Sequence, residues 1–136
     1  MRIVLDSNVL ISAFLWGGKP KVILDGVFDG KYRLFISKEI LDEIFEVLSR
    51  GKFKLDKRTI SMFLHEIEEA SELVFPSEKV SDVVRDVDDH IILECALEAS
   101  ADVIVTGDKD LLVLRTFKSI DIFQASEFLD LRGEFA

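Results

Sequence analysis

Strands that alternate with helices over a single-domain length predict an α/β protein, built as three layers with helices on both faces of a central, mostly parallel sheet of about five strands. Three observations lead there. Short continuous apolar runs, Ile3-Val4-Leu5 and Val103-Ile104-Val105 among them, have the length of strands buried on both faces. Stretches with apolar residues at helical spacing separate these runs, and right-handed crossovers between parallel strands place such helices on the faces of the sheet. With 136 residues, 49% of them hydrophobic, the chain is long enough for one domain with a real core and short for two, so residues 1–136 are expected to form a single domain.

In chain order, Ile3–Leu5 is the first strand and a helix is expected from Ser7 to about Leu15. Gly17-Gly18 breaks the chain, Pro20 suits a first helical turn, and a second helix reaches Phe28 before Gly30. Tyr32–Ile36 is the second strand. Ser37 is a good N-cap for a helix whose apolar face holds Ile40, Leu41, Ile44, Phe45, Val47 and Leu48, and Gly51 ends it. A helix from about Lys57 to Ser71 carries Ile60, Phe63, Leu64, Ile67 and Ala70, and Leu73–Phe75 is a short strand stopped by Pro76. Another helix spans Asp89–Ala99, with Asp88 as its natural cap. Asp102–Thr106 is the fourth strand, Lys109–Leu114 a short helical turn, Ile120–Phe123 the fifth strand and Ser126–Leu131 a closing helix.

No stretch approaches the roughly 18 uninterrupted apolar residues of a membrane span, and Met1-Arg2 leads directly into the first strand without a signal-peptide core. A soluble, cytoplasmic protein without a membrane partner is expected. The single cysteine, Cys95, shares a helical face with Ile91, Ile92, Ala96 and Ala99 and reads as a small core residue. The net charge of −9 is unevenly spread. Residues 1–58 hold eleven Lys and Arg against eight Asp and Glu, a balance of +3, whereas residues 59–136 hold six against eighteen, a balance of −12. An acidic site that loads divalent cations can itself meet a polyanion, so overall acidity does not exclude RNA.

The acids carry the chemistry. Asp6 closes the first strand, and Asp108 and Asp110 follow the fourth, so all three belong to the carboxyl edge of a parallel sheet, where open α/β folds bind ligands. Asp6 alone would read as a helix cap, but clustered carboxylates are destabilising unless a cation offsets them. On the helix after Ser37, Glu43 lies roughly 115° from the centre of the apolar arc and Glu39, Asp42 and Glu46 about 140° or more, which makes Glu43 the acid best placed to reach inward. In Arg85-Asp86-Val87-Asp88-Asp89, one acid caps a helix and another is solvated. Asp89 lies closer to the apolar arc of Ile91, Ile92, Cys95 and Ala96 than His90 does and is chosen as the inward one, while Asp86 and Asp88 stay open as alternatives. An oxygen-only cluster suits hard cations such as Mg²⁺ or Mn²⁺. His65 and His90 read as surface residues, which leaves a zinc site without ligands.

With Asp6-Ser7-Asn8-Val9-Leu10, then Glu43, then Asp89 seven residues before Ala96, then Thr106-Gly107-Asp108-Lys109-Asp110-Leu111, the chain resembles the PIN-domain family over nearly its whole length. It is most similar to small prokaryotic PIN proteins, many of them ribonuclease toxins of VapC-type toxin-antitoxin pairs. The resemblance implies a ribonuclease site dependent on Mg²⁺ or Mn²⁺ and made by Asp6, Glu43, Asp89 and Asp108, with Asp110 as an additional acid and Ser7, Asn8 and Thr106 as supporting polar groups. It also implies an RNA substrate, an antitoxin partner and a homodimer. Val87 departs from the pattern, since relatives often carry Pro in that stretch. Two other readings stand beside this one: a non-catalytic RNA-binding or scaffolding module, and an aspartyl-phosphate phosphotransfer or receiver-like domain, which the Asn at position 8 disfavours because related hydrolases place a second Asp there.

Arg50-Gly51-Lys52-Phe53-Lys54-Leu55-Asp56-Lys57-Arg58 has five basic residues and an interleaved aromatic. It reads either as a track for an RNA backbone with Phe53 stacked on a base, or as a solvated helix connection whose Phe53 and Leu55 turn to the core. If Arg50, Lys52, Lys54, Lys57 and Arg58 bind phosphates, replacing two of them by Ala should weaken RNA binding and flatten its salt dependence by roughly two units of slope or somewhat less. An unchanged slope assigns the segment to the helix connection.

Overall fold

The computed structural model describes residues 1–80, 84 and 86–132. Six strands form one sheet: β1 (Arg2–Leu5), β2 (Arg33–Ser37), β3 (Ser71–Val74), β4 (Val103–Val105), β5 (Thr116–Phe117) and β6 (Ile120–Phe123), in the spatial order β3-β2-β1-β4-β6-β5. Every pairing is parallel except β5 with β6. The central strands are the most apolar in sequence: Ile3, Val4 and Leu5 of β1 and Val103, Ile104 and Val105 of β4 are all at most 1% exposed, because helices cover both faces. Here the continuous apolar run is the correct signature of a central parallel strand.

Among the described residues, seven helices connect and cover the sheet: α1 (Ser7–Leu15), α2 (Gly18–Phe28), α3 (Lys38–Leu48), α4 (Lys57–Ala70), α5 (Val87–Ala99), α6 (Lys109–Leu112) and α7 (Ala125–Arg132). Helix α5 packs on β1, β2 and β3 and touches α3, while α7 packs on β6 and against α2. The three-layer α/β/α arrangement is the one expected. Gly17 and Gly18 both have positive φ (76° and 64°), which lets α2 turn back along α1 immediately. Ser37 closes β2 and also caps α3, accepting from the Ile40 N–H. Cys95 is fully buried, and burial pushes its thiol up to about 12, so it is an inert core group, as the sequence indicated.

Several expectations need correction. The sheet has six strands because Lys118 and Ser119, both at positive φ (47° and 70°), make a two-residue hairpin turn between β5 and β6. Such turns are recognised in sequence by Asn or Gly, and neither is present here. Tyr32 precedes β2 instead of opening it, and its ring packs edge-on against Phe128 at 5.1 Å. The third strand is Ser71–Val74, not Leu73–Phe75. It is a half-exposed edge that follows α4 directly and pairs Leu34 with Ser71, and Phe75 beyond it is exposed. Gly51 does not end α3, which stops at Leu48, but opens a 3₁₀ turn over Gly51–Phe53. Helix α5 is capped by Asp86 and not by Asp88, since the Asp86 carboxylate accepts from the Asp88 N–H at 2.9 Å and Asp88 sits in the first turn. His90 is half-buried with Nε2 2.6 Å from the Val84 carbonyl oxygen, so only His65 is a surface histidine.

Close packing at Gly26 gives a stability test. A Cβ there would lie 2.6 Å from the Tyr32 ring, which Phe128 prevents from yielding freely. Gly26→Ala should therefore lower the stability read by urea denaturation by about 1–3 kcal/mol, the range for overpacking. Gly51→Ala, where a Cβ meets nothing within 4 Å, should leave it nearly unchanged or slightly raised.

Candidate active site

Parallel pairing of β1 with β4 carries Leu5 opposite Val105, so the next residues of both chains, Asp6 and Thr106, emerge together at the carboxyl edge. The Asp6 N–H donates to the Val105 carbonyl at 2.9 Å, and the Thr106 hydroxyl donates to Asp6 Oδ2 at 2.7 Å. Thr106 Oγ1 in turn accepts from the Asp108 N–H at 3.0 Å, so one hydroxyl ties the two strand-end acids together. Asn8 braces the same junction from the surface: Nδ2 lies 3.4 Å from Asp6 Oδ2, and Oδ1 accepts from the Gly107 N–H at 3.4 Å. Ser7 is 3% exposed. Its hydroxyl donates to Glu43 Oε1 and lies 3.4 Å from Asp6 Oδ1, which places Glu43 of α3 next to the cluster.

The first turn of α5 contributes the remaining acids. Asp89 is 3% exposed, and its Oδ2 has no hydrogen-bond partner among the described residues. Asp86, Asp89 and Asp108 each offer a carboxylate oxygen within 4.8 Å of the others. Asp6, Glu43, Asp89 and Asp108 thus come to one edge of the sheet. Asp86, one of the two alternatives that the sequence leaves open, joins them, and its signal is the acid-dense stretch at the start of α5. Asp110 lies in the first turn of α6, exposed, with its N–H donating to Asp108 Oδ1 at 2.8 Å; the structure does not bring its carboxylate into the Asp86-Asp89-Asp108 group.

Electrostatics sets the cluster's state. No ion pair among the described residues reaches Asp6, Glu43, Asp86, Asp89 or Asp108. Burial raises the Asp6 carboxyl above its ordinary range, opposed by hydrogen bonds from Thr106 and Ser7 and reinforced by the charge of Asp108. Glu43 is raised by burial too, against its bond from Ser7, with Asp88, Asp6 and Asp86 adding repulsion. Asp89 is pushed up to about 8, first by desolvation, then by sharing a proton with Asp108 and by the charges of Asp108, Asp86 and Asp6. A buried, unpaired carboxylate oxygen among other carboxylates is a donor set for a hard divalent cation, with no soft ligand nearby.

The basic segment is exposed at all five of its Lys and Arg residues. Arg50 lies 3.9 Å from Glu46, Lys52 stands over the half-buried Phe53 ring at 5.1 Å, Leu55 packs against the core, and Asp56 caps α4 through the Thr59 N–H at 2.7 Å. The segment therefore serves as a structured helix connection and still presents its cations to solvent.

Fold and site together define an α/β protein with a cluster of carboxylates at the carboxyl edge of its sheet. The chain belongs to the PIN-domain family, whose model matches residues 2–110. The uncharacterized protein MJ1680 of Methanocaldococcus jannaschii is 37% identical over 119 residues, which cover 85% of this chain and 76% of that protein. Among solved structures, a chain of VapBC2 from Rickettsia felis, bound to a DNA fragment from the promoter, superposes with a TM-score of 0.64 at 16% identity, covering 90% of this chain and 97% of that one. VapBC-1 from nontypeable Haemophilus influenzae gives 0.64 at 18% identity, covering 93% and 99%. PAE2754 from Pyrobaculum aerophilum gives 0.62 at 15% identity, covering 98% and 90%. At these identities the likeness is one of fold. Among the described residues, no helix is long and apolar enough to cross a membrane.

The raised carboxyls make stability depend on pH with a definite sign. Asp89 holds its proton to about pH 8 when folded but only to its ordinary 3.8 when unfolded. Between these values the folded state binds more protons, so this contribution to stability is complete below the lower value and is lost as pH rises through the upper one. In chelator, the wild type should lose melting temperature between pH 5.5 and pH 8.5, and Asp89→Asn should lose clearly less. Equal losses in both proteins would show that Asp89 is ionised across this range.

Proposed function

We propose that the protein is a ribonuclease dependent on Mg²⁺ or Mn²⁺, hydrolysing RNA phosphodiester bonds at the carboxyl edge of its sheet. The observation that supports this most is the buried Asp89 carboxylate, set beside Asp86 and Asp108, whose Oδ2 has neither a hydrogen-bond partner nor a basic partner among the described residues. Asp6, Asp89 and Asp108 would hold the cation with Asp86, and Asp110 is an outer acid. A bound divalent cation would polarise the phosphate and acidify a water. Glu43, half-buried with a raised carboxyl and steered by Ser7, takes the water's proton. Thr106 and Asn8 orient Asp6 through its Oδ2, leaving Oδ1 on the Ser7 side. Arg50, Lys52, Lys54, Lys57 and Arg58 are outer contacts for longer RNA.

The solved VapBC complexes with this fold support an antitoxin as a partner, making the protein the toxin of a pair. A homodimer and a cytoplasmic location belong to the same reading. Incubation with a mixed RNA pool tests the chemistry: cleavage is expected with Mn²⁺ or Mg²⁺ and abolished by EDTA, and cleavage surviving exhaustive chelation would refute metal dependence. RNA binding without turnover in Mn²⁺ would instead support the non-catalytic module.

Asp6→Asn separates a ligand from a helix cap. It removes one repelling charge and nearly keeps the side chain's shape, so without metal the variant should melt above the wild type. Millimolar Mn²⁺ should narrow or reverse the order, because a cation that binds only the folded state stabilises it by mass action and the variant has lost a ligand. RNA cleavage should fall at least about a hundredfold. A variant that is less stable in chelator, gains as much from Mn²⁺ as the wild type and still cuts RNA would make Asp6 a cap alone.

A further inference from the structure

The acidic centre is flanked by two walls of opposite charge. On the side of α3 and α5, a groove of about 330 Å³ is lined by Glu39, Asp42, Glu43, Glu46 and Asp88, with Arg50 as the one basic residue among the described ones. On the other side, a groove of about 570 Å³ lies between α1, the start of α2, and the segments that open α6 and α7. Lys19 and Lys109 line it with the polar side chains of Asn8, Ser12, Thr106 and Ser126, and among the described residues no acid does. Both lysines are exposed, and neither forms an ion pair among the described residues.

This second groove is continuous with the acids, because Thr106 and Asn8, which line it, are the side chains that contact Asp6 Oδ2. Lys109 follows Asp108 in sequence, yet its side chain lines the groove while the Asp108 carboxylate joins the acid group. The positive-φ pair Gly17-Gly18 brings Lys19 back to the groove from the far end of α1. An extended polyanion whose reacting phosphate sits on the acids must lay its neighbouring phosphates along a wall. The α3 side repels them with five carboxylates, and the Lys19 side meets them with two free ammonium groups.

We propose that the Lys19-Lys109 groove is the phosphate-binding subsite that receives the RNA strand next to the scissile bond. The proposal rests on the ribonuclease reading for its substrate and adds the path of the strand. Lys19 and Lys109 are positioning residues: they hold backbone phosphates and take no part in bond cleavage.

Binding is read by fluorescence anisotropy of a labelled single-stranded RNA of ten nucleotides in the Asp6→Asn background, which separates binding from turnover. Four proteins are compared: the background alone, Lys19→Gln with Lys109→Gln, Lys19→Arg with Lys109→Arg, and Lys31→Gln with Lys118→Gln. The last pair removes the same charge from exposed positions just before β2 and β6, at the opposite edge of the sheet. Loss of two single-strand phosphate contacts should make the salt slope shallower by about 1.4 for the groove pair, at roughly 0.7 per contact, and leave it unchanged for the distant pair. Lys19→Arg with Lys109→Arg should restore the slope.

With Asp6 intact and Mn²⁺ present, the groove pair should raise KM for RNA with kcat nearly kept, and should hydrolyse bis(p-nitrophenyl) phosphate, which has no neighbouring phosphates, at the wild-type rate. An unchanged slope and KM in the groove pair, or equal changes in both pairs, would overturn the subsite. Groove-dependent binding with no cleavage in any metal would uphold the subsite and overturn only the ribonuclease reading.

Discussion

The pairing of β1 with β4 is the constraint on which the site depends. Two apolar strands distant in sequence lie side by side, and the Asp6 N–H extends their ladder by one bond to the Val105 carbonyl. That register leaves Asp6 and Thr106 facing each other at the first positions beyond the strands, where a single hydroxyl can bridge Asp6 to the backbone of Asp108. Because β1 and β4 are buried on both faces, a slip of one residue would turn their side chains out of the layers they fill. The core therefore holds the carboxylates in place, and their own interactions oppose it.

Those interactions are repulsive. Among the described residues, Asp6, Glu43, Asp86, Asp89 and Asp108 converge without an ion pair to neutralise them, and desolvation is the leading cause of the raised pKa at Asp6, Glu43 and Asp89 alike. Protons relieve the crowding, at Asp89 up to about pH 8, and a divalent cation would relieve it in their place. The supporting residues are arranged accordingly: Thr106, Ser7 and Asn8 each give Asp6 or Glu43 a hydrogen bond that favours the charged form. These bonds keep the carboxylates aimed without neutralising them, so their oxygens stay available as donors.

The charge distribution around the site follows from the same topology. The helix after β2 and the start of α5 bring acids to one flank, while the loop after β4 and the tight α1-α2 junction bring Lys109 and Lys19 to the other. A chain with net charge −9 thereby presents a groove lined by Lys19 and Lys109 beside its acidic centre. Net charge describes the average field; the approach of a polyanion depends on the local one.

Much of this was legible in the sequence because the governing physics is local or periodic. The apolar runs of β1 and β4, the helical spacing in α3 and α4, the cap at Ser37, and acids placed just after strands are one-dimensional patterns, and together they led to the three-layer fold and to Asp6, Glu43, Asp89 and Asp108. Other features arise from contacts between segments far apart in sequence. The β5-β6 hairpin turns on Lys118 and Ser119, residues with no turn preference strong enough to announce positive φ. The cap of α5 depends on where the chain enters the helix, which decided for Asp86 over Asp88 and placed Asp86 beside Asp89 and Asp108. His90 is half-buried, with its Nε2 beside the Val84 carbonyl oxygen, a contact that helical spacing within α5 does not reveal. The lysine groove has no linear signature, since Lys19 and Lys109 stand ninety residues apart and share a surface only once β1 and β4 are neighbours. Sequence by itself determined which residues could build a parallel sheet edged with acids; the tertiary structure alone decided which acids meet and which wall beside them is basic, because both depend on distances that a linear pattern does not contain.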